Sequence, residues 1–139
     1  MPDLQRLLKK SKPAAAKIPV RIYEYAACST CKNALKFLNR QEIPYEKLPI
    51  VEQPPSKSEL KRMLRIHGGD LKKLFNASGQ VYREMGLSEK IAKLSSEEAI
   101  DLLSKNGKLI KRPFLLSMGD DELGFVGFKE ADWLRLVSY

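Results

Sequence analysis

The chain has 139 residues, 43% of them apolar, and its 25 Lys and Arg against 17 Asp and Glu give a net charge of +8 and a pI near 9.5. That length supports a single core and argues against a second full domain. The charge favours acidic partners without choosing among nucleic acid, an anionic protein surface and an anionic substrate. No apolar run approaches the roughly 18 residues of a membrane span, and the opening MPDLQRLLKKSKPAAAK lacks the apolar stretch of a secretory signal, which points to the cytosol. In that reducing compartment a close cysteine pair is more often catalytic, redox-sensing or metal-binding than a structural staple.

Residues 1–17 place Arg6, Lys9, Lys10, Lys12 and Lys17 around a short Leu4, Leu7, Leu8 stripe, with Pro13 interrupting any helix, and read as a basic, loosely ordered arm. Residues 18–139 read as one domain. IPVRIYEY alternates like a strand, with Val20, Ile22 and Glu24 opposite Arg21, Tyr23 and Tyr25. After AACST comes an amphipathic helix in which Ala34, Leu35 and Leu38 share a face and Lys32, Lys36 and Arg40 point to water. Ile43-Pro44 ends it, and PYEKLPIV supplies a second strand. Ser56 and Glu59 form a capping box opening a helical region broken at Gly68-Gly69, and Ser95 with Glu98 repeat that signature before a helix stopped at Gly107. RPFLLSMGDDELGFVGF reads as two strands joined by a Gly-Asp turn, and KEADWLRLVSY as a closing helix carrying Trp133, Leu134 and Val137 inward. The order is β-α-β, several helices, then β-β-α.

Cys28 and Cys31 therefore sit at the turn from the first strand into the first helix. Unpaired backbone N–H groups and the positive helix end favour thiolate there, so Cys28 is the expected nucleophile. Cys31, one turn further in, is placed to resolve a mixed disulfide. Ser29 and Thr30, small and polar, leave the turn open to a substrate thiol or anion. Zinc needs about four ligands, and His67 is the chain's single histidine, so no metal is expected; burial of two small side chains is the remaining alternative.

The chain resembles the thioredoxin-fold family that includes glutaredoxin-coupled arsenate reductases and Spx-type transcriptional regulators. The resemblance rests on IYEYAACSTCKNALKFLNRQEIPYE, LFNASGQVYREMGL, and NGKLIKRPFLL followed by GFVGF, and spans almost everything from Ile18 to the C-terminus. It implies an α/β, glutaredoxin-type mixed sheet of about four strands with helices inserted between strands 2 and 3. It further implies that Cys28 is the nucleophile, that Arg112 binds substrate anion or thiolate, and that Pro113 is a cis-proline beside the cysteines. Of three oxyanion-binding arginines in such reductases, only Arg112 is matched; the others fall near Asn76 and Gly127, which weakens the case for arsenate as substrate. Cys31 suits a self-contained dithiol cycle, with glutathione, glutaredoxin or thioredoxin as reductant and no bound cofactor. The Spx-like alternative makes the pair a sensor controlling docking on the RNA polymerase α C-terminal domain, with Gly68 or Gly69 as the contact glycine and Ser78 where a responding arginine would stand. A monomer is expected, and direct binding to nucleic acid or membrane is not.

Overall fold

A computed structural model describes residues 17–119 and 121–137, so the proposed basic arm lies, save Lys17, outside the described residues, as does Asp120 of the Gly-Asp turn. Among the described residues four strands form one mixed sheet: β1 (Val20–Glu24), β2 (Tyr45–Pro49), β3 (Phe114–Ser117) and β4 (Gly124–Val126). Their spatial order is β2-β1-β3-β4. β1 runs parallel to β2, pairing Ile22 with Lys47, and antiparallel to β3, pairing Ile22 with Leu115; β4 closes the edge antiparallel to β3. The parallel pair requires a crossover, supplied by α1 (Ser29–Arg40).

The remaining helices are α2 (Lys57–Ile66), α3 (Gln80–Glu84), α4 (Leu87–Lys90), α5 (Ser96–Lys105) and α6 (Glu130–Trp133). Four of them, with a 3-10 turn at Leu71–Leu74, fill the expected insertion between β2 and β3. Strand alternation sends side chains into two apolar layers. Val20, Ile22, Leu115 and Phe125 pack with Phe37, Leu38, Trp133 and Leu136 beneath α1 and α6. Tyr23, Phe114 and Leu116 pack with Leu60, Met63, Leu74, Ile100 and Leu103 of the inserted helices. Helices on both faces explain why all four residues of β3 are buried.

Local signals behave as their chemistry dictates. Ser56 and Ser95 each accept from the backbone N–H three residues on, and Glu59 and Glu98 accept in turn from the cap N–H. α2 stops where Gly68 and Gly69 take φ of 71° and 82°, with Gly69 N–H donating to the Leu64 carbonyl. α1 stops in the same way at Glu42, whose φ of 56° is unusual for a side-chain-bearing residue. Gly107 follows the end of α5 and is buried because its Cα lies against β2's exit, where a methyl group would fall on the Ile50 carbonyl. On α1 the buried face is Cys31, Ala34, Phe37 and Leu38, with Leu35 at its margin. The closing helix departs most from expectation: its α-helical part ends at Trp133 and continues as a 3-10 turn, Leu134–Leu136. The tighter turn rotates Leu134 outward to 41% exposure and brings Leu136 inward in its place. Among the described residues no helix is long and apolar enough to cross a membrane.

Candidate functional site

The β1-to-α1 turn is closed by Cys28 N–H donating to the Tyr25 carbonyl at 2.9 Å. Cys28 has extended backbone angles, φ −92° and ψ 117°, and is the N-cap of α1. Its Sγ accepts from Cys31 N–H at 3.3 Å, the position a capping oxygen would take. Both cysteines are free thiols; Cys28 is partly exposed, whereas Cys31 is fully buried. Burial is the main reason that the Cys31 thiol is pushed up to about 12, against a backbone hydrogen bond at Tyr25 and with the Cys28 sulfur and the Glu24 carboxylate adding to the rise. The helix thus presents one accessible sulfur and holds a second, protonated one directly beneath it.

Cys28 opens onto a groove of about 1130 Å³. Opposite stands the segment before β3. The Arg112-Pro113 bond is cis, and the Pro113 carbonyl accepts from Gly127 N–H at 2.9 Å, which fixes the ends of β3 and β4 together. Arg112 lines the groove with its guanidinium 4.6 Å from the centre of the Tyr25 ring, and it donates to the Lys108 carbonyl at 3.4 Å. A bridge between Phe75 and Ile110, with Asn76 N–H donating to Leu109 and Lys111 N–H donating to Leu74, draws the inserted segment alongside.

Of the residues marked by the sequence, Cys28, Thr30 and Arg112 meet in the groove, while Ser29 is exposed at the turn and Pro113 is buried behind Arg112. Asn76 and Gly127 also line it, at the two places where an arginine was missing. Sequence reasoning overlooked what stands there instead: Lys72, Lys73, Lys111 and Lys129. Lys111 passes so close over Gly127 that a Cβ there would lie 2.9 Å from its Cε. The adjacency of Lys111 to Arg112 was a visible signal, but the pairing of residues 74–76 with 109–111 that adds Lys72 and Lys73 was not. His67 caps α2 and reaches the groove; burial and Lys73 hold its pKa below 6.5 against a hydrogen bond with the Gly124 backbone. Trp133 is core, as expected, packed 4.8 Å from Phe128 and 5.9 Å from Phe125 by ring centres, with an edge on the groove. Among the described residues, no three of His, Cys, Asp and Glu converge as metal ligands.

The chain is 46% identical over 108 residues to the uncharacterized protein YusI of Bacillus subtilis, an overlap covering 78% of this chain and 89% of that protein. The crystal structure of a possible arsenate reductase from Streptococcus mutans UA159 superposes with a TM-score of 0.73 at 37% identity, over 82% of this chain and 93% of the other. The global transcriptional regulator Spx of Streptococcus mutans is 26% identical over 106 residues, 76% of each chain. Residues 23–136, which run from the last part of β1 through α6, match the model of the ArsC family. The cysteine turn, the Arg112-Pro113 segment and the inserted helices all fall inside that match, and the chain belongs to the ArsC family.

Proposed function

We propose that the protein is a thiol-disulfide reductase in which Cys28 attacks and Cys31 resolves. The observation that carries this reading is the asymmetry of the pair: a partly exposed sulfur at a helix N-cap, and a buried, protonated one whose backbone N–H donates to it. In the first step the Cys28 thiolate forms a bond to one sulfur of the substrate disulfide, the substrate S–S bond breaks, and the departing thiolate takes a proton. In the second, Cys31 gives up its proton and attacks Cys28 Sγ, the mixed disulfide breaks, and the second substrate thiol leaves. The substrate gains two electrons and two protons, and the protein dithiol becomes a disulfide. Glutathione, or a dithiol protein such as glutaredoxin or thioredoxin, returns the two electrons. Thr30 and Ser29 keep the turn open, Arg112 offers positive charge to the departing thiolate, and Pro113 sets the backbone opposite the nucleophile.

A disulfide fits better than arsenate. A small oxyanion calls for converging, geometrically fixed donors. Among the described residues of the groove the arginine is Arg112, held by the Tyr25 ring, and the other cations are long-stemmed lysines. The test is reduction of a glutathionylated peptide, measured beside arsenate turnover: Cys28→Ser should abolish reduction and Cys31→Ser should accumulate mixed disulfide. Full activity in Cys28→Ser would refute the assignment. The regulator named among the relatives supports a second reading, in which a Cys28–Cys31 disulfide controls binding to the RNA polymerase α C-terminal domain. A diamide-sensitive pull-down of that domain, without disulfide turnover, would replace the first reading with this one.

A further inference from the structure

The groove beside Cys28 is more strongly charged than thiol exchange requires. Lys72, Lys73, Lys111, Arg112 and Lys129 come from three separate chain segments and, among the described residues, share the groove with one carboxylate, Asp132. None of these five forms an ion pair among the described residues, whereas Arg21, Arg62, Arg65, Lys57 and Lys61 on the α2 side of the molecule are each matched to a glutamate or aspartate. Its walls also carry apolar surface from Phe125, Val126 and Phe128. Gly127 contributes to the shape: without a side chain, and at a φ of 78°, it lets Lys111 lie across it into the groove.

Resting on the thiol-exchange reading of Cys28, we infer that this groove recognises a polypeptide segment in which acidic residues flank the oxidised cysteine. The reacting atom must be sulfur, which excludes nucleic acid as the substrate despite the charge. The volume, about 1130 Å³, exceeds the roughly 300–1,000 Å³ that encloses small ligands, so a compact disulfide leaves much of it unfilled. An extended acidic segment meets the lysines with its carboxylates and the aromatic walls with its apolar side chains. Lys111, which lies across Gly127, acts with Lys72 and Lys73 as the specificity-determining charge.

The test uses three disulfides with the full chain, each a mixed disulfide with the same chromogenic thiol: a cysteine peptide flanked by glutamates, the same peptide with glutamines, and glutathione, a tripeptide that bears carboxylates but is too short to span the groove. With exposed charge pairs each giving up to about fivefold, kcat/KM for the glutamate peptide should exceed that for the glutamine peptide by about tenfold at low salt and lose that margin at high salt. The triple variant Lys72→Gln, Lys73→Gln, Lys111→Gln should collapse the ratio, while Lys47→Gln on the far edge strand should not. A ratio near one, a ratio that survives the triple variant, or the glutathione mixed disulfide matching the glutamate peptide would overturn the inference. If no disulfide is turned over, the thiol-exchange reading fails by itself, and anisotropy with serine-for-cysteine peptides judges the groove: tighter binding of the glutamate peptide supports it and equal binding overturns it.

Discussion

Release of the second thiol from a Cys28 mixed disulfide requires Cys31 to ionise, and burial opposes that ionisation. A thiol moved from 9.0 to about 12 carries about a thousandfold less thiolate at neutral pH, equivalent to about 4 kcal/mol. Its higher basicity makes the thiolate that does form a better nucleophile, recovering about 20-fold at a Brønsted coefficient near 0.45, so the net slowing is about 50-fold. Once Cys28 is in the mixed disulfide its own contribution to the rise disappears, but burial, the largest cause, remains. Loading Cys28 with a chromogenic aromatic thiol and following its release by stopped flow from pH 7 to 10 isolates this step. The rate should climb about tenfold per pH unit with no plateau below pH ~10. A plateau between pH 8 and 9 would show that Cys31 ionises like an exposed thiol and that burial does not hold its proton. Stability carries the same sign. Between 9.0 and about 12 the native state keeps a proton that the unfolded chain has lost, so alkali destabilises the fold. Cys31→Ala should flatten that limb.

Four further outcomes test the framework around the site. Gly107→Ala places a methyl 2.7 Å from the Ile50 carbonyl carbon and 2.9 Å from Val51 Cα, both backbone, and should lower the urea-unfolding free energy by about 3 kcal/mol. Trp133→Ala empties the junction of Phe37, Phe125 and Phe128 and should cost about 4 kcal/mol by the same measurement. Glu42→Gly relieves a left-handed backbone at the end of α1 and should stabilise by about 0.5 kcal/mol, since the lost Lys17 contact is with a carboxylate 83% exposed. His67, held below 6.5, gives up stability as the pH falls through its folded value because the unfolded chain takes the proton first. Titration of unfolding between pH 7 and 5 should therefore show an acid limb that His67→Gln lacks.

Much of this was legible in the sequence, because the signals were local. A capping box needs residues three apart, a left-handed helix stop needs one glycine, and a strand-helix turn with two cysteines needs ten consecutive residues. Ser56, Ser95, Gly68 and Cys28 were readable on those grounds. The Arg112-Pro113 segment was reachable through family resemblance alone, since nothing local to it points to the cysteines. The lysine groove was not legible, because Lys72 and Lys73 meet Lys111 through a bridge between Phe75 and Ile110, and no spacing encodes that register. Nor was the outward turn of Leu134, which follows from a helix tightening to a 3-10 turn under the demand to bury both Trp133 and Leu136. Counting arginines at matched positions understated the positive charge, which lysines from other segments supply.

Attack by Cys28 and resolution by Cys31 can be read by intact-mass spectrometry after one equivalent of a glutathionylated peptide is added to the reduced protein. The wild-type protein should emerge adduct-free and about two mass units lighter, its two thiols joined, and Cys31→Ser should keep a stable adduct mapped to Cys28. An adduct on Cys31 in the Cys28→Ser protein at the wild-type rate, or a wild type that retains the adduct without forming the internal disulfide, would contradict that assignment of roles.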